Sequence, residues 1–294
     1  MSLQLQIYYA LRAVVPRRKM QAAVRVFQRC MNLAKYGDYY FFREINIEIN
    51  RQCNRRCYYC PQSVDPLKRQ HIGDETFDLI LSRLADINWT GPIGYAHYGE
   101  PLLDKRMVAF IRRTKAALPK SKPRIFTNGD LLTAELRDKL IDAGLVGFAI
   151  TRHDLEDRVW NRKIVPLTIG FEKYFTLEVI HGTPMSNRGG LVVDPRAKIQ
   201  EMDRCDDPEA SMHIGINGDV ILCGCDYYGK WTYGNLAKYD IKTCWERYSR
   251  LRAELREGIT RLPICQACFG RRVVTEEEGC ALPWKDGIDM KIKA

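Results

Sequence analysis

Nothing in the 294-residue chain approaches the roughly 18 uninterrupted apolar residues that a bilayer-spanning helix requires. The N-terminus also lacks an apolar core followed by a small-residue cleavage site, so no secretory signal is read. The expectation is a soluble cytoplasmic protein with no transmembrane segment. A long basic block is missing too. The net charge is +10, yet Lys and Arg are scattered, and no interleaved aromatic and basic motif of the kind that grips nucleic acid is present. DNA is therefore not expected as a partner, while an anionic substrate stays open.

Cysteine, by contrast, is abundant. Eleven cysteines in a small secreted chain would suggest a disulfide scaffold, but here the count is odd and the chain is long and signal-free. Thiolates held for metal are the better reading. With 46% hydrophobic residues, the chain can bury one large catalytic domain plus a smaller appendage.

Residues 1–44 read as a helical extension, with Met20, Val24, Phe27, Met31 and Leu33 at near-helical spacing and Arg17, Arg18, Lys19, Arg25 and Arg29 between them. Such a helix either packs on the main domain or docks on a membrane surface or partner. Ile45 to Asn50 then alternates apolar and polar residues, the period of a strand. Further strands are predicted at 93–97, 124–127 and 147–151. Helices are predicted over about 75–87 with Asp74 as cap, from a cap at Asp104 to Ala117, and over 133–143 with a stop at Gly144.

This alternation implies a parallel sheet with outer helices and functional residues at the C-terminal ends of the strands. After Thr151 the rhythm falters: Asp154 to Trp160 is too short for a crossover helix, and only Phe175 to Ile180 offers another strand. The expected α/β fold is thus an incomplete barrel over 45–200. A second, cysteine-bearing domain over 201–294 carries one helix from about Asp240 to Glu257.

Cys53, Cys57 and Cys60 form C-x3-C-x2-C on one tight loop. Three thiolates can hold three irons of a cubane and leave the fourth open. Zinc would want a fourth ligand, for which His71 is the only local histidine, and that alternative stays open. This loop resembles the motif of the radical S-adenosylmethionine (radical SAM) superfamily, with Tyr59 as the aromatic residue before the last cysteine. Gly99-Glu100-Pro101 is similar to the family's motif for the amino group of S-adenosylmethionine, although Tyr98 stands where a glycine is usual. Thr127-Asn128-Gly129 is similar to the third-strand end that approaches the cofactor's ribose and methionine portion.

A second set, Cys205, Cys223, Cys265 and Cys268, reads as C-x12-G-x4-C through Gly218, followed after a long gap by C-x2-C. It resembles the twitch domain, a shortened SPASM domain. Four thiolates complete a cubane with no open iron, which suits electron transfer or a structural role. Cys225 stands as a rival to Cys223. Cys244 reads as a small core residue, and Cys30 and Cys280 carry no usable pattern.

The resemblance implies two 4Fe-4S clusters and S-adenosylmethionine as cofactors, with flavodoxin or ferredoxin as electron donor. It also implies a deoxyadenosyl radical that takes hydrogen from an unactivated carbon. The favoured outcome is two-electron oxidation of a small molecule such as a sugar or aminocyclitol, and cross-linking or epimerisation of a peptide is the runner-up. A non-enzymatic metal-cluster protein on nucleic acid is the reading from another class. Glu48, Asn50, Tyr95, His97, Arg152, His153, Glu178 and His181 are expected to face the pocket. Asn187-Arg188-Gly189-Gly190 reads as either an anion-binding loop or a plain turn.

Overall fold

The computed structural model describes residues 17–38, 40–153, 157–180, 182–270 and 289–290; Cys280 and His181 lie outside them. The chain divides into two compact units, residues 1–42 and 43–294. In the first, helix α1 (Arg17–Tyr36) is followed by a turn whose Phe41 carbonyl accepts from Asn32 Nδ2 at 2.6 Å and whose Phe41 ring stacks on Tyr36 at 4.4 Å.

The second unit is built on one sheet. Strands β1 (Glu44–Ile47), β2 (Pro92–Tyr95), β3 (Lys122–Thr127), β4 (Gly147–Arg152) and β5 (Phe175–Val179) run parallel in the order β5-β4-β3-β2-β1. On the other side of β1 lies β6 (Ser211–Ile214), also parallel, with Ile45 opposite Met212 and Ile47 opposite Ile214. The antiparallel strands β7 (Asp219–Ile221), β8 (Trp231–Asn235) and β9 (Asp289–Met290) complete it. Six parallel strands make a partial barrel, as the βα rhythm predicts.

Helices α2 (Pro61–Val64), α3 (Asp74–Asp86), α4 (Met107–Ala117), α5 (Ala134–Asp142) and α6 (Asp157–Thr168) follow in the crossovers. Phe77, Ile80, Leu84, Phe110 and Ile111 are buried between α3, α4 and the sheet. Each full burial of this kind is worth about 1.5–3 kcal/mol.

Several local expectations are corrected. Asp74 does not cap α3, whose cap is Gly73; its carboxylate instead pairs with Arg106 at 2.8 Å and with Arg113. Asp104 sits before the cap of α4 and accepts from Arg106 N at 2.9 Å. The crossover after β4 is a twelve-residue helix that tolerates Pro166 within it, longer than the sequence pattern suggested. The helix expected over 240–257 is two, α8 (Ile241–Glu246), capped by Asp240, and α9 (Ser249–Arg256). Two further short helices, α7 (Asp207–Ala210) and α10 (Pro263–Cys268), carry or adjoin cysteines.

Candidate active site

The C-terminal ends of β1, β2 and β3 are tied into one knot. Gly99 permits it. A Cβ there would lie 2.0 Å from the Asn50 carbonyl oxygen, so only glycine lets the chain after β2 cross the chain after β1. Glu100 N then donates to Gln52 O at 2.8 Å and Asn50 Nδ2 to Glu100 O at 2.9 Å.

The Glu100 side chain is buried and accepts from Leu102 N at 3.0 Å, Thr127 Oγ1 at 2.7 Å and Asn128 N at 2.8 Å. Burial pushes its carboxyl up, against the pull of these three donors. Pro101 opens the 3-10 turn that follows. Asn128 Nδ2 reaches Asn54 Oδ1 at 2.9 Å and Cys53 Sγ at 3.9 Å, and Asp130 forms a 2.5 Å ion pair with Arg55. Glu100, Thr127 and Asn128 thus buttress the cysteine loop from below.

On that loop, Cys60 N donates to Cys57 O at 3.0 Å and Arg55 N to Cys53 Sγ at 3.4 Å. The three thiols lie near enough to feel one another's charge, and burial pushes all three up, Cys57 to about 11. Buried thiols of this kind become thiolates when a metal supplies the positive charge. Tyr59 packs against Met185 and Val192, while its hydroxyl meets Nδ1 of His153, which also lies 3.6 Å from Cys57 Sγ. Next to the loop, Arg55, Asn128, Asp130, His153, Trp160 and Lys163 line a small opening.

The zinc alternative finds no support. Both ring nitrogens of His71 are already engaged, Nδ1 by Asp104 Oδ2 at 2.8 Å and Nε2 by Gln52 Nε2 at 2.7 Å. Among the described residues, no three His, Cys, Asp or Glu side chains converge as one ion would demand. Three thiols as the donor set suit an iron-sulfur cluster with one iron left open.

The second cysteine set lines a cavity of about 190 Å³. Cys205 precedes α7, Cys223 follows β7, and Cys265 and Cys268 lie on α10, where Gly189 N donates to Cys268 Sγ at 3.1 Å. All four sulfur-bearing residues border the cavity, and Cys225 joins them, its sulfur 3.4 Å from Ser186 Oγ. Five cysteines around a cavity otherwise walled in part by Met202, Leu255, Ile264 and Phe269 suit an iron-sulfur cluster. Cys244 is buried in the core.

Two groups that link the two cysteine sets, Arg188 and Tyr98, were not legible as a constellation, and neither was His97, which packs on Tyr98. Arg188 interacts electrostatically with Cys60 of the first set and Cys225 of the second, and its guanidinium lies 5.9 Å from the Tyr98 ring centre. Tyr98 donates to Gly224 O at 2.7 Å. Its place in the sequence, where the resembling family has glycine, was the available signal. His97 has φ 129, a strained value for a residue with a side chain, and burial pushes it down to about 3, so the ring is neutral at ordinary pH.

The other pocket candidates divide. Tyr95 points the opposite way, buried against α4 with its hydroxyl on Thr114 Oγ1, because strand residues alternate faces. Asn50 and Glu48 serve the loops, Glu48 accepting from Arg51 at 3.1 Å, and Glu178 is exposed on the edge strand. Arg152 ends β4, and His153, the next residue, lines the opening beside the cysteine loop.

Comparison with known proteins now bears on this geometry. Residues 47–176 match the Radical SAM superfamily and residues 205–269 match SPASM, an iron-sulfur cluster-binding domain. Over 245 residues the chain is 31% identical to the S-adenosyl-L-methionine-dependent 2-deoxy-scyllo-inosamine dehydrogenase of Niallia circulans, covering 81% of this chain and 96% of that protein. The chain belongs to the radical SAM superfamily.

A solved structure of BtrN in complex with AdoMet and 2-DOIA superposes with a TM-score of 0.71 at 28% identity, covering 82% of this chain and 98% of that one. BtrN in an open conformation gives 0.61 at 26%, covering 81% and 97%. This radical SAM protein is therefore an oxidoreductase with a C-terminal cluster domain, and its cofactors are S-adenosylmethionine and two 4Fe-4S clusters.

Proposed function

We propose that this radical SAM enzyme removes two electrons and two protons from a secondary alcohol of a small cyclic polyol or aminocyclitol, giving the ketone. The observation that carries the reading is the placement of Arg188 and Tyr98 between two separate cysteine sets. The relative of similar length that dehydrogenates 2-deoxy-scyllo-inosamine supports the substrate class.

Cys53, Cys57 and Cys60 would hold the cluster that, with S-adenosylmethionine, supplies the hydrogen-abstracting radical. Tyr59, Gly99, Glu100, Pro101, Thr127 and Asn128 would shape the cofactor's seat. The second cluster, on Cys205, Cys223, Cys265 and Cys268, would accept the remaining electron, with Cys225 as the alternative to Cys223. Arg188 would face the alcohol oxygen and stabilise its deprotonated form, as a fixed cation does for developing negative charge. Flavodoxin or ferredoxin would deliver the starting electron in the cytoplasm, where cysteines stay reduced.

The test is Cys268→Ala in protein that remains folded and keeps its first cluster, supplied with 2-deoxy-scyllo-inosamine. We expect 5'-deoxyadenosine to form while ketone largely disappears. Undiminished ketone in protein shown to lack the second cluster would leave that cluster a structural role only.

A further inference from the structure

Helix α1 lies outside both matched family regions, which begin at residue 47. Its charge is one-sided. Residues 1–42 contain seven Lys and Arg and one acidic residue, Asp38; of 46 basic and 36 acidic residues in the chain, that leaves 39 and 35 for the rest. More than half of the net charge of +10 thus sits in a seventh of the sequence. The remainder, itself net positive, offers no opposite net charge to balance it.

The apolar residues are just as one-sided. Val26, Phe27, Met31 and Leu33 are 52%, 69%, 53% and 52% exposed, and Cys30 and Ala34 between them are exposed too. At 100° per residue these six fall within one broad stripe. The opposite side of the helix meets the turn that follows: Asn32 bonds Phe41 O, Tyr36 stacks on Phe41, and Arg29 lies 4.8 Å over Tyr40. Within this unit, the polar side of the helix makes the intramolecular contacts and the apolar stripe is left facing outward.

We propose that α1 is an interfacial helix that seats the enzyme on an anionic membrane surface. Its stripe of Val26, Phe27, Met31 and Leu33 enters the headgroup boundary, and its Lys and Arg residues engage acidic lipid. A basic helix whose apolar residues from Val26 to Ala34 gather on one face is the chemistry such surfaces select. Nucleic acid would use the charge but has no use for an exposed Phe and Met stripe, and a second copy of this chain would bring like charge against like charge.

The experiment is co-sedimentation of the full-length holoenzyme with vesicles of phosphatidylcholine containing phosphatidylserine, beside vesicles of phosphatidylcholine alone. We expect binding to the acidic vesicles at low salt, weakened at high salt, and little to the neutral ones. Phe27→Ser/Met31→Ser should weaken it about tenfold or more, and Arg17→Gln/Lys19→Gln/Arg25→Gln roughly a hundredfold. Both variants should keep wild-type circular dichroism and turnover without vesicles. Equal affinity for both vesicle types, or no binding to either, overturns the proposal. So does a dimer that Phe27→Ser/Met31→Ser dissolves, or DNA binding in protein that ignores acidic vesicles.

Discussion

Arg188 reaches its position through a backbone conformation that few side chains adopt, with φ of 53 followed by 67 at Gly189 and 84 at Gly190. A Cβ at Gly189 would come within 2.7 Å of Ile264, so the loop can fold onto α10 only with glycine there. On the proposed reading, this backbone holds a guanidinium where charge would develop on the substrate oxygen. Replacing it by Arg188→Gln should lower ketone formation roughly a hundredfold while S-adenosylmethionine cleavage continues, with the two products quantified separately. Ketone at the wild-type rate would remove Arg188 from the reaction. Cys223 and Cys225 pose a second question at this scale, because both border the cavity. The spacing after Gly218 favours Cys223 as the proposed ligand, so Cys223→Ser should retain about four irons and Cys225→Ser about eight. The reverse pattern transfers the role to Cys225.

At the scale of elements, the loops after the strands matter more than the strands themselves. Gly99→Ala should cost about 3 kcal/mol or more, since its Cβ would meet backbone that cannot retreat. Gly170→Ala is the control: its φ of +77 is unfavourable, but nothing lies within 4 Å, and about 1 kcal/mol should be lost. Denaturant midpoints of the two variants check both. The strands themselves were legible because their period is local: Ile45 and Ile47 alternate with polar residues, and the cysteine spacings stand in one line of text. The role of Tyr98 was not. Its hydrogen bond to Gly224 spans 126 residues, and no local pattern encodes a contact of that separation. Tyr95 was placed on the wrong face for a related reason: a strand's pattern shows alternation, and which face looks inward depends on the helices that cover it.

For the whole molecule, the iron inventory is the simplest observable. Anaerobically reconstituted enzyme should hold about eight irons, and Cys53→Ala/Cys57→Ala/Cys60→Ala about four. An unchanged count, or zinc in place of iron, would contradict the assignment of that loop. The two clusters also share a scaffold, because β6, from the cluster-binding region, lies beside β1, which leads into the first cysteine loop. That pairing joins residues 44–47 to 211–214, so a nascent chain cannot finish the central sheet until the ribosome has delivered about three quarters of it. Throughout that interval β1 presents a bare edge of amide and carbonyl groups, the template on which unfinished sheets aggregate. Expression of this enzyme should therefore depend on chaperone supply and on slow synthesis, before any shortage of iron or sulfide is felt.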